Sequence, residues 1–265
     1  MAIIEREVTS LGDLIDQVTP ARPHLDTGRW RDNGVYHGAL DATWPLLTSL
    51  DRLGGVAPPH TKAHLEAHIL RNFIRHARPY LPSPPANDWD FLVTAQHHGV
   101  PTRLLDWTYS PLIAAHFATR ERHAAGAAVV WRLDWQQVHG AFGLPPLALL
   151  ITDLETLFAE TGLFTPWGMF DAPAQARPFA CLLAPPALDM RLVVQSATFT
   201  LCSETSQTFD SFLEQHGLHA ALTKLVIPAA RIARVRDQLD LIGIDERHLF
   251  PDLDGVATAL RRYYS

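Results

Sequence analysis

Apolar residues recur at helical spacing in several parts of the chain. The clearest pattern predicts an amphipathic helix over residues 61–78. A shorter pattern predicts a helix over residues 9–18, with Ser10 as its N-cap. Further helices are predicted at residues 229–241, at residues 253–264 and around residues 154–158. Each of these segments needs a partner for its apolar face, so the pattern indicates a packed globular fold.

Runs of β-branched and aromatic residues predict strands at residues 127–133, 191–201 and 225–228. Leu104-Leu105 is a short buried-strand candidate, and Val35-Tyr36 is interpreted as the end of a strand. The run at residues 191–201 contains a polar interruption, Gln195-Ser196. A buried amide there needs a backbone group or a ligand as its partner.

The segment at residues 96–118, QHHGVPTRLLDWTYSPLIAAHFA, concentrates polar side chains within an otherwise apolar stretch. Gly99 and Pro101 predict a turn, and Ser110-Pro111 predicts the start of a helix. A donor-rich turn beside a helix N-terminus is suited to hold an anion such as a phosphate. The alternative is structural, with Arg103 and Asp106 forming an ion pair and the hydroxyl groups capping the turn.

Two features of the histidines also leave alternatives open. His37 precedes Gly38, which lets another group approach the backbone closely, and the histidine either reaches a ligand or makes a structural hydrogen bond at a strand end. His64 and His68 stand four residues apart, which permits metal ligation. There is no HExxH pattern and no evident third ligand, so a solvated pair is favoured.

Composition limits the classes of function. The 265 residues carry a net charge of -6, which argues against broad, sequence-independent binding of nucleic acid. The two cysteines are expected to be buried thiols, and no secretory signal or membrane-length apolar run is evident. These features predict a soluble, cytoplasmic protein. We expect a helical segment at residues 1–29 packed on one domain at residues 30–265, with irregular loops over a pocket at residues 139–187, where Phe164, Trp167 and Phe170 cluster.

The segment at residues 96–118 closely resembles the most distinctive segment of the FRG domain family, Q-H-Y-G-x-P-T-R-L-L-D-W-T-x-S-P-L-x-A-x-x-F-A, with His98 in place of its tyrosine. Residues 191–199 and 243–255 are similar to two further segments of that family, so the resemblance runs from about Trp30 to the C-terminus. Tyr36-His37-Gly38 stands where the family has Phe-Arg-Gly. This difference weakens any role that needs a permanent positive charge.

A second similarity is to the ADP-ribosyltransferases. Their aromatic-[Arg/His]-Gly motif, their Ser/Thr-bearing strand leading into a helix, and their Glu or Gln on a third strand occur here in the same order: Tyr36-His37-Gly38, residues 108–118 and Gln195. The resemblance implies an α+β fold with a split, mostly antiparallel β core surrounded by helices. It also implies an NAD-dependent ADP-ribosyltransferase or NAD glycohydrolase that cleaves the nicotinamide–ribose bond.

This resemblance assigns roles to individual residues. His37 and Gln195 are the implied catalytic residues, with His37 bonded to a ribose hydroxyl and Gln195 in place of a catalytic glutamate. Arg103 is available to the pyrophosphate of NAD. The implied substrate-binding residues are Tyr36, Gly38, Gln96, His97, Thr102, Arg103, Asp106, Thr108 and Ser110. A glutamine orients a hydroxyl group but carries no charge, so Asp106 or Glu204 is the alternative source of a carboxylate.

Two other functions stay open at this point. One is a catalytically inactive nucleotide-binding or protein-interaction domain, and the other is a metal-dependent hydrolase built from some of the 14 histidines. NAD is the expected substrate, with no metal and no membrane contact. The acceptor of ADP-ribose, whether protein, nucleic acid, small molecule or water, stays open. So do an antitoxin or inhibitor partner and a role as a toxin or in phage defence.

Overall fold

The computed structural model describes residues 3–81, 85–120, 126–158, 178–186 and 190–264. Its seven strands are β1 (Ile4–Glu7), β2 (Val35–Ala39), β3 (Leu104–Thr108), β4 (Ala128–Leu133), β5 (Ala180–Leu183), β6 (Ala197–Cys202) and β7 (Leu222–Ile227). The α-helices of the described residues are α1 (Leu11–Val18), α2 (Lys62–Ala77), α3 (Asp88–His97), α4 (Pro111–Thr119), α5 (Trp135–Ala141), α6 (Ile151–Phe158), α7 (Met190–Val194), α8 (Phe209–Gln215), α9 (Ala229–Leu241), α10 (Glu246–Leu249) and α11 (Leu253–Tyr263). The predicted aromatic cluster Phe164, Trp167 and Phe170 lies outside the described residues.

The strands form one sheet in the order β1-β7-β4-β2-β3-β6-β5. Every neighbouring pair is antiparallel except β1 and β7, which are parallel. The predicted α+β class and the mostly antiparallel sheet are therefore confirmed. Strands β2 and β3 share a single register pair, Tyr36 with Thr108, whereas β2 and β4 share five. The sheet therefore opens between its two central strands.

The packing of the core follows this opening. On one face, a single cluster that includes Val35, Trp107 and Trp131 continues across both parts of the sheet. On the other face there are two clusters. One packs α1, α4 and α9 on β2, β4 and β7, and the other packs α3 and α6 on β3, β5 and β6. This second face is thus divided at the line where β2 and β3 separate.

Helix α4 lies directly on β2. Ser110 caps its first turn by accepting a hydrogen bond from the Ile113 amide, as the sequence predicts. An added Cβ at Gly38 would lie 1.9 Å from the Ala114 carbonyl oxygen and 2.8 Å from the Ala118 nitrogen. The group that approaches Gly38 is therefore the backbone of α4, and only a glycine permits this contact.

The predicted strand at residues 191–201 is wrong in its first half. Residues 190–194 form helix α7, and β6 begins only at Ala197. Between them Ser196 adopts a φ of 46°, which turns the chain and ends any continuous strand. Val35-Tyr36 begins β2 rather than ending it. Strand β1, which pairs with β7 at the edge of the sheet, is not predicted by the sequence.

Among the helices that the structure describes, none is both long enough and apolar enough to span a membrane.

Candidate functional site

A cavity of about 670 Å³ lies where β2 and β3 separate. Its walls come from both strands, from the C-terminal end of α3, from α4, and from the turn between α7 and β6. Eight of the eleven site residues that the sequence predicts line it: Tyr36, His37, Gly38, Gln96, His97, Asp106, Thr108 and Gln195. The other three, Thr102, Arg103 and Ser110, lie outside this lining and have partners within the protein.

His37 lies in the gap between the separating strands. Its Nδ1 is 2.8 Å from the main-chain oxygen of Asp106, and because a carbonyl only accepts, Nδ1 carries the proton. Burial lowers the pKa of His37, and the bond to the Asp106 carbonyl opposes this effect. The imidazole is therefore neutral near pH 7, and its Nε2 can accept a hydrogen bond from a ligand.

Gln96 holds the Asp106 side chain in the cavity. Its Nε2 donates to both carboxylate oxygens, at 3.0 Å each, and its Oε1 accepts from the Thr102 hydroxyl at 2.6 Å. Thr102 therefore acts on the site through Gln96. The Asp106 side chain is exposed to the cavity, but protein atoms of the cavity walls surround it. This desolvation raises the pKa of Asp106. The Gln96 hydrogen bonds and the charges of Arg52 and Arg191 oppose the rise.

Gln195 lies in the turn before β6 and not on a strand. Its Nε2 donates to the Leu249 carbonyl oxygen at 2.9 Å, so a backbone group satisfies the amide and fixes its orientation. Its own main-chain oxygen accepts from the Thr108 hydroxyl at 2.7 Å. The Thr108 hydroxyl in turn accepts from the Ser110 amide. Thr108 and Ser110 thus join β3, α4 and the Gln195 turn.

Tyr36 has mainly a structural role in this arrangement. Its side chain is buried among the residues that pack α4 on the sheet, and its hydroxyl donates to Asp32. Burial and the bond to Asp32 raise the pKa of Tyr36 far above its usual range. Asp32 also accepts from Arg132 Nε at 2.8 Å. Tyr36 therefore contributes to the cavity wall without a reactive hydroxyl group.

Arg103 binds Glu66 and does not line the cavity. Its Nε and its main-chain nitrogen each lie 2.6 Å from a Glu66 carboxylate oxygen, and both side chains are almost fully buried. Its Nη1 donates to the Ser203 carbonyl oxygen at 3.0 Å. This is a structural ion pair, as one sequence interpretation expected of Arg103, but its partner is Glu66 rather than Asp106.

Three arginines that the sequence interpretation did not include line the cavity: Arg52, Arg120 and Arg191. All three side chains are exposed, and none forms an ion pair with an acidic residue in the part of the chain that the structure describes. Arg191 also lies over the Phe250 ring, 4.8 Å from its centroid. Asp106 is the only acidic residue in the described lining, so the cavity is basic overall.

A sequence signal existed for two of these arginines. Arg120 follows the helix that Ser110 caps, and Arg191 lies four residues before Gln195 in a segment already singled out. Arg52 belongs to a single 3-10 turn, Asp51–Leu53, and nothing in its sequence context indicates the cavity.

Aromatic side chains complete the walls. Trp107 and Phe199 are buried at the base, whereas Trp44 is 47% exposed. His97 and His98 also line the cavity, and their rings meet edge to face with centroids 5.1 Å apart. Flat apolar surfaces beside arginines suit a ligand that combines planar rings with phosphate groups.

The histidine pair on α2 has local partners. His64 completes a capping box with Thr61 at the start of the helix, and His68 Nε2 lies 3.0 Å from the Asn72 side-chain nitrogen. Across the described ranges, no three His, Cys, Asp or Glu side chains are grouped as a metal site.

The fold and the site define an α+β protein with a basic cavity at the opening of a mostly antiparallel sheet. The family model of the FRG domain matches residues 32–126 of the chain. The match includes Tyr36-His37-Gly38, the segment at residues 96–118, and two of the three cavity arginines, while Arg191 and Gln195 lie beyond it. No curated protein and no solved structure matches the chain.

Proposed function

We propose that the cavity binds NAD and that the protein cleaves the nicotinamide–ribose bond, transferring ADP-ribose to an acceptor or to water. The observation that carries this proposal is the group of three exposed arginines around the cavity, none of which forms an ion pair with an acidic residue among the described residues. Such a group favours a ligand with phosphate groups. A volume of about 670 Å³ lies within the usual range for small-molecule sites.

The other lining residues fit the remaining parts of NAD. His37 Nε2 accepts a hydrogen bond from a ribose hydroxyl, a contact that a neutral imidazole can make and the arginine of the FRG motif cannot. With Nε2 of Gln195 bound to Leu249, its Oε1 is the atom that accepts from the nicotinamide ribose. The pyrophosphate binds Arg52 and Arg191 rather than Arg103. An ADP-ribosyltransferase-like architecture is part of the same proposal.

The test is incubation of the purified protein with NAD, with release of nicotinamide as the readout. His37→Ala and Gln195→Ala are each expected to lower the rate. Arg52→Gln and Arg191→Gln are each expected to raise KM for NAD by about tenfold to a hundredfold, since each removes a charge-assisted hydrogen bond.

Arg234→Gln is the matched control, because Arg234 is exposed on α9 and lies outside the described cavity lining. It makes the same change of charge and is expected to leave KM unchanged. If the wild-type protein releases no nicotinamide, with or without a cell lysate as a source of acceptor, the proposed enzymatic function is wrong.

One observation favours a second function, a nucleotide-binding domain without catalysis. Gln195 carries no charge and its amide is held by a main-chain carbonyl, so it cannot replace a catalytic glutamate. This function predicts that NAD raises the melting temperature of the protein and that no nicotinamide is released. Loss of the stabilisation in Arg191→Gln would then place the nucleotide in this cavity.

A further inference from the structure

Asp106 combines three features that no other acidic residue of the described chain has. Its carboxylate is exposed to the cavity, both of its oxygens accept from Gln96, and its main-chain oxygen accepts from His37. The Gln96 side-chain amide cannot flip, exchanging its oxygen and nitrogen, without losing its bond to the Thr102 hydroxyl. Gln96 therefore fixes the position of the carboxylate, and His37 holds the backbone that carries it.

The alternatives to Asp106 fail on placement or on charge. Glu204 accepts from the Gln207 side chain and does not line this cavity. Gln195 lines it but is neutral, and its Nε2 is bound to Leu249.

We propose that Asp106 is the catalytic carboxylate of the cavity and that Gln96 is its positioning residue. This inference rests on the proposed function. The bond between C1′ of the ribose and the pyridinium nitrogen breaks, and nicotinamide leaves as a neutral molecule with the electron pair. The charge of Asp106 stabilises the oxocarbenium-like ribose as this bond loosens. The oxygen or nitrogen of the acceptor then bonds to C1′, and its proton passes to the Asp106 carboxylate and on to water.

The surroundings of Asp106 suit a base. The titratable and charged groups that face it are His37 from β2, Arg52 from the 3-10 turn and Arg191 from α7. Burial raises the pKa of the carboxyl group, which strengthens it as a base, while the arginines and Gln96 favour its ionised form. The net effect is a pKa of Asp106 above its usual value, so the ionised carboxylate is a stronger base than an exposed one.

The decisive variant is Asp106→Asn, which keeps the shape of the side chain and removes its charge. It is expected to lower kcat for nicotinamide release by at least about a hundredfold, while the Kd for NAD, measured by calorimetry, stays within a few fold. Glu204→Gln is the matched control, because it makes the same chemical change outside the cavity. Its kcat is expected to equal that of the wild type.

A second variant, Gln96→Met, tests the positioning role of Gln96. It also provides a test of the proposal if Asp106→Asn fails to fold. Without the two Gln96 hydrogen bonds, the Asp106 pKa rises further, so the acidic limb of the pH profile of kcat moves to higher pH. If Gln96 had only a structural role, its substitution would lower kcat at every pH and leave the acidic limb of the pH profile in place. That result would overturn its assignment as a positioning residue.

The outcomes separate this inference from the function on which it rests. A wild-type protein that releases no nicotinamide overturns both. An active wild type with an equally active, folded Asp106→Asn variant overturns only the role of Asp106. An active wild type with an inactive Asp106→Asn variant that still binds NAD supports both.

Discussion

At the scale of single residues, the Glu66–Arg103 pair shows how burial decides between stability and function. Arg103 belongs to the most distinctive segment of the sequence, yet its charge is neutralised inside the protein by Glu66. A buried charge left without its partner is strongly destabilising, by about 3 to 5 kcal/mol. Arg103→Met is therefore expected to lower the free energy of unfolding by about that amount, as measured by urea denaturation.

The double variant Glu66→Met/Arg103→Met removes both charges and is expected to recover part of the loss. Its KM for NAD should equal that of the wild type, because neither residue lines the cavity. A single variant that keeps its stability but binds NAD poorly would instead support the role at the pyrophosphate that the sequence suggested.

The residues of the site could be predicted where one continuous segment carries them. Gln96, Asp106 and Thr108 all come from residues 96–118 and all line the cavity. The sequence could not show which other polar residues of this segment would line the cavity. Arg103 does not line it, because α2 brings Glu66 to Arg103 and the two side chains bind each other. Arg52, Arg120 and Arg191 come from three separate segments, and only the folded chain brings them to one cavity.

At the scale of elements, β2 and α4 pack closely against each other beside the site. Gly38→Ala would place a Cβ 1.9 Å from the Ala114 carbonyl oxygen, so α4 would have to move away from the sheet. Overpacking of this kind destabilises by about 1 to 3 kcal/mol or more, and the melting temperature is expected to fall accordingly.

Gly140→Ala is the matched control for this substitution. Gly140 lies in α5, and an added Cβ there meets no atom within 4 Å. Alanine is favoured over glycine inside a helix by about 0.5 to 1 kcal/mol, so the control should keep or raise the melting temperature. Equal effects of the two substitutions would contradict the close packing of α4 on β2.

The elements that the sequence predicts best are those with both a cap and a clear periodicity. Ser10 and Ser110 cap α1 and α4 where the sequence expects them, and Thr61 caps α2 at the start of the predicted helix. Helix α3 was missed because it is buried on nearly all sides from Trp89 to Ala95, so its apolar residues show no single face. In α7, the Leu-Val-Val run favours a strand locally, and tertiary packing overrides that preference.

At the scale of the whole molecule, the cavity lies where the sheet opens and where the core on one face of the sheet is divided. Tyr36 and Thr108 form the only register pair between β2 and β3, and the second face of the sheet carries a separate cluster on each side of this line. The cavity receives His37 from one part and Asp106 from the other. The bond between His37 and the Asp106 carbonyl therefore joins the two parts across the opening.

Two buried histidines in different parts of the molecule are expected to make the stability of the fold depend on pH. His116 Nδ1 lies 2.8 Å from Arg236 Nη1, and His139 Nε2 lies 2.7 Å from the Leu182 amide nitrogen. Each of these nitrogens accepts a hydrogen bond, so each ring is neutral. Burial, together with the charge of Arg236, lowers the pKa of His116 to about 4. Burial also lowers the pKa of His139, although the bond to the Pro145 carbonyl acts in the opposite direction.

The sign of the effect follows from which state binds the protons. In the unfolded chain these histidines take up a proton near pH 6.5, whereas in the folded protein they do so only at lower pH. The contribution of His116 to stability is therefore complete above about pH 6.5 and is lost as the pH falls towards 4, and the contribution of His139 is lost in the same direction. Each proton bound only by the unfolded chain gives a slope of about 1.4 kcal/mol per pH unit.

The measurement is urea denaturation at several pH values between about 7.5 and 5, for the wild type and for His116→Gln, which still accepts from Arg236 but does not titrate. The variant is expected to lose less stability below pH 6.5, by up to about 1.4 kcal/mol per pH unit. His24→Gln replaces an exposed histidine and should keep the wild-type slope. If His116→Gln also keeps the wild-type slope, His116 is not the group that makes the fold sensitive to acid.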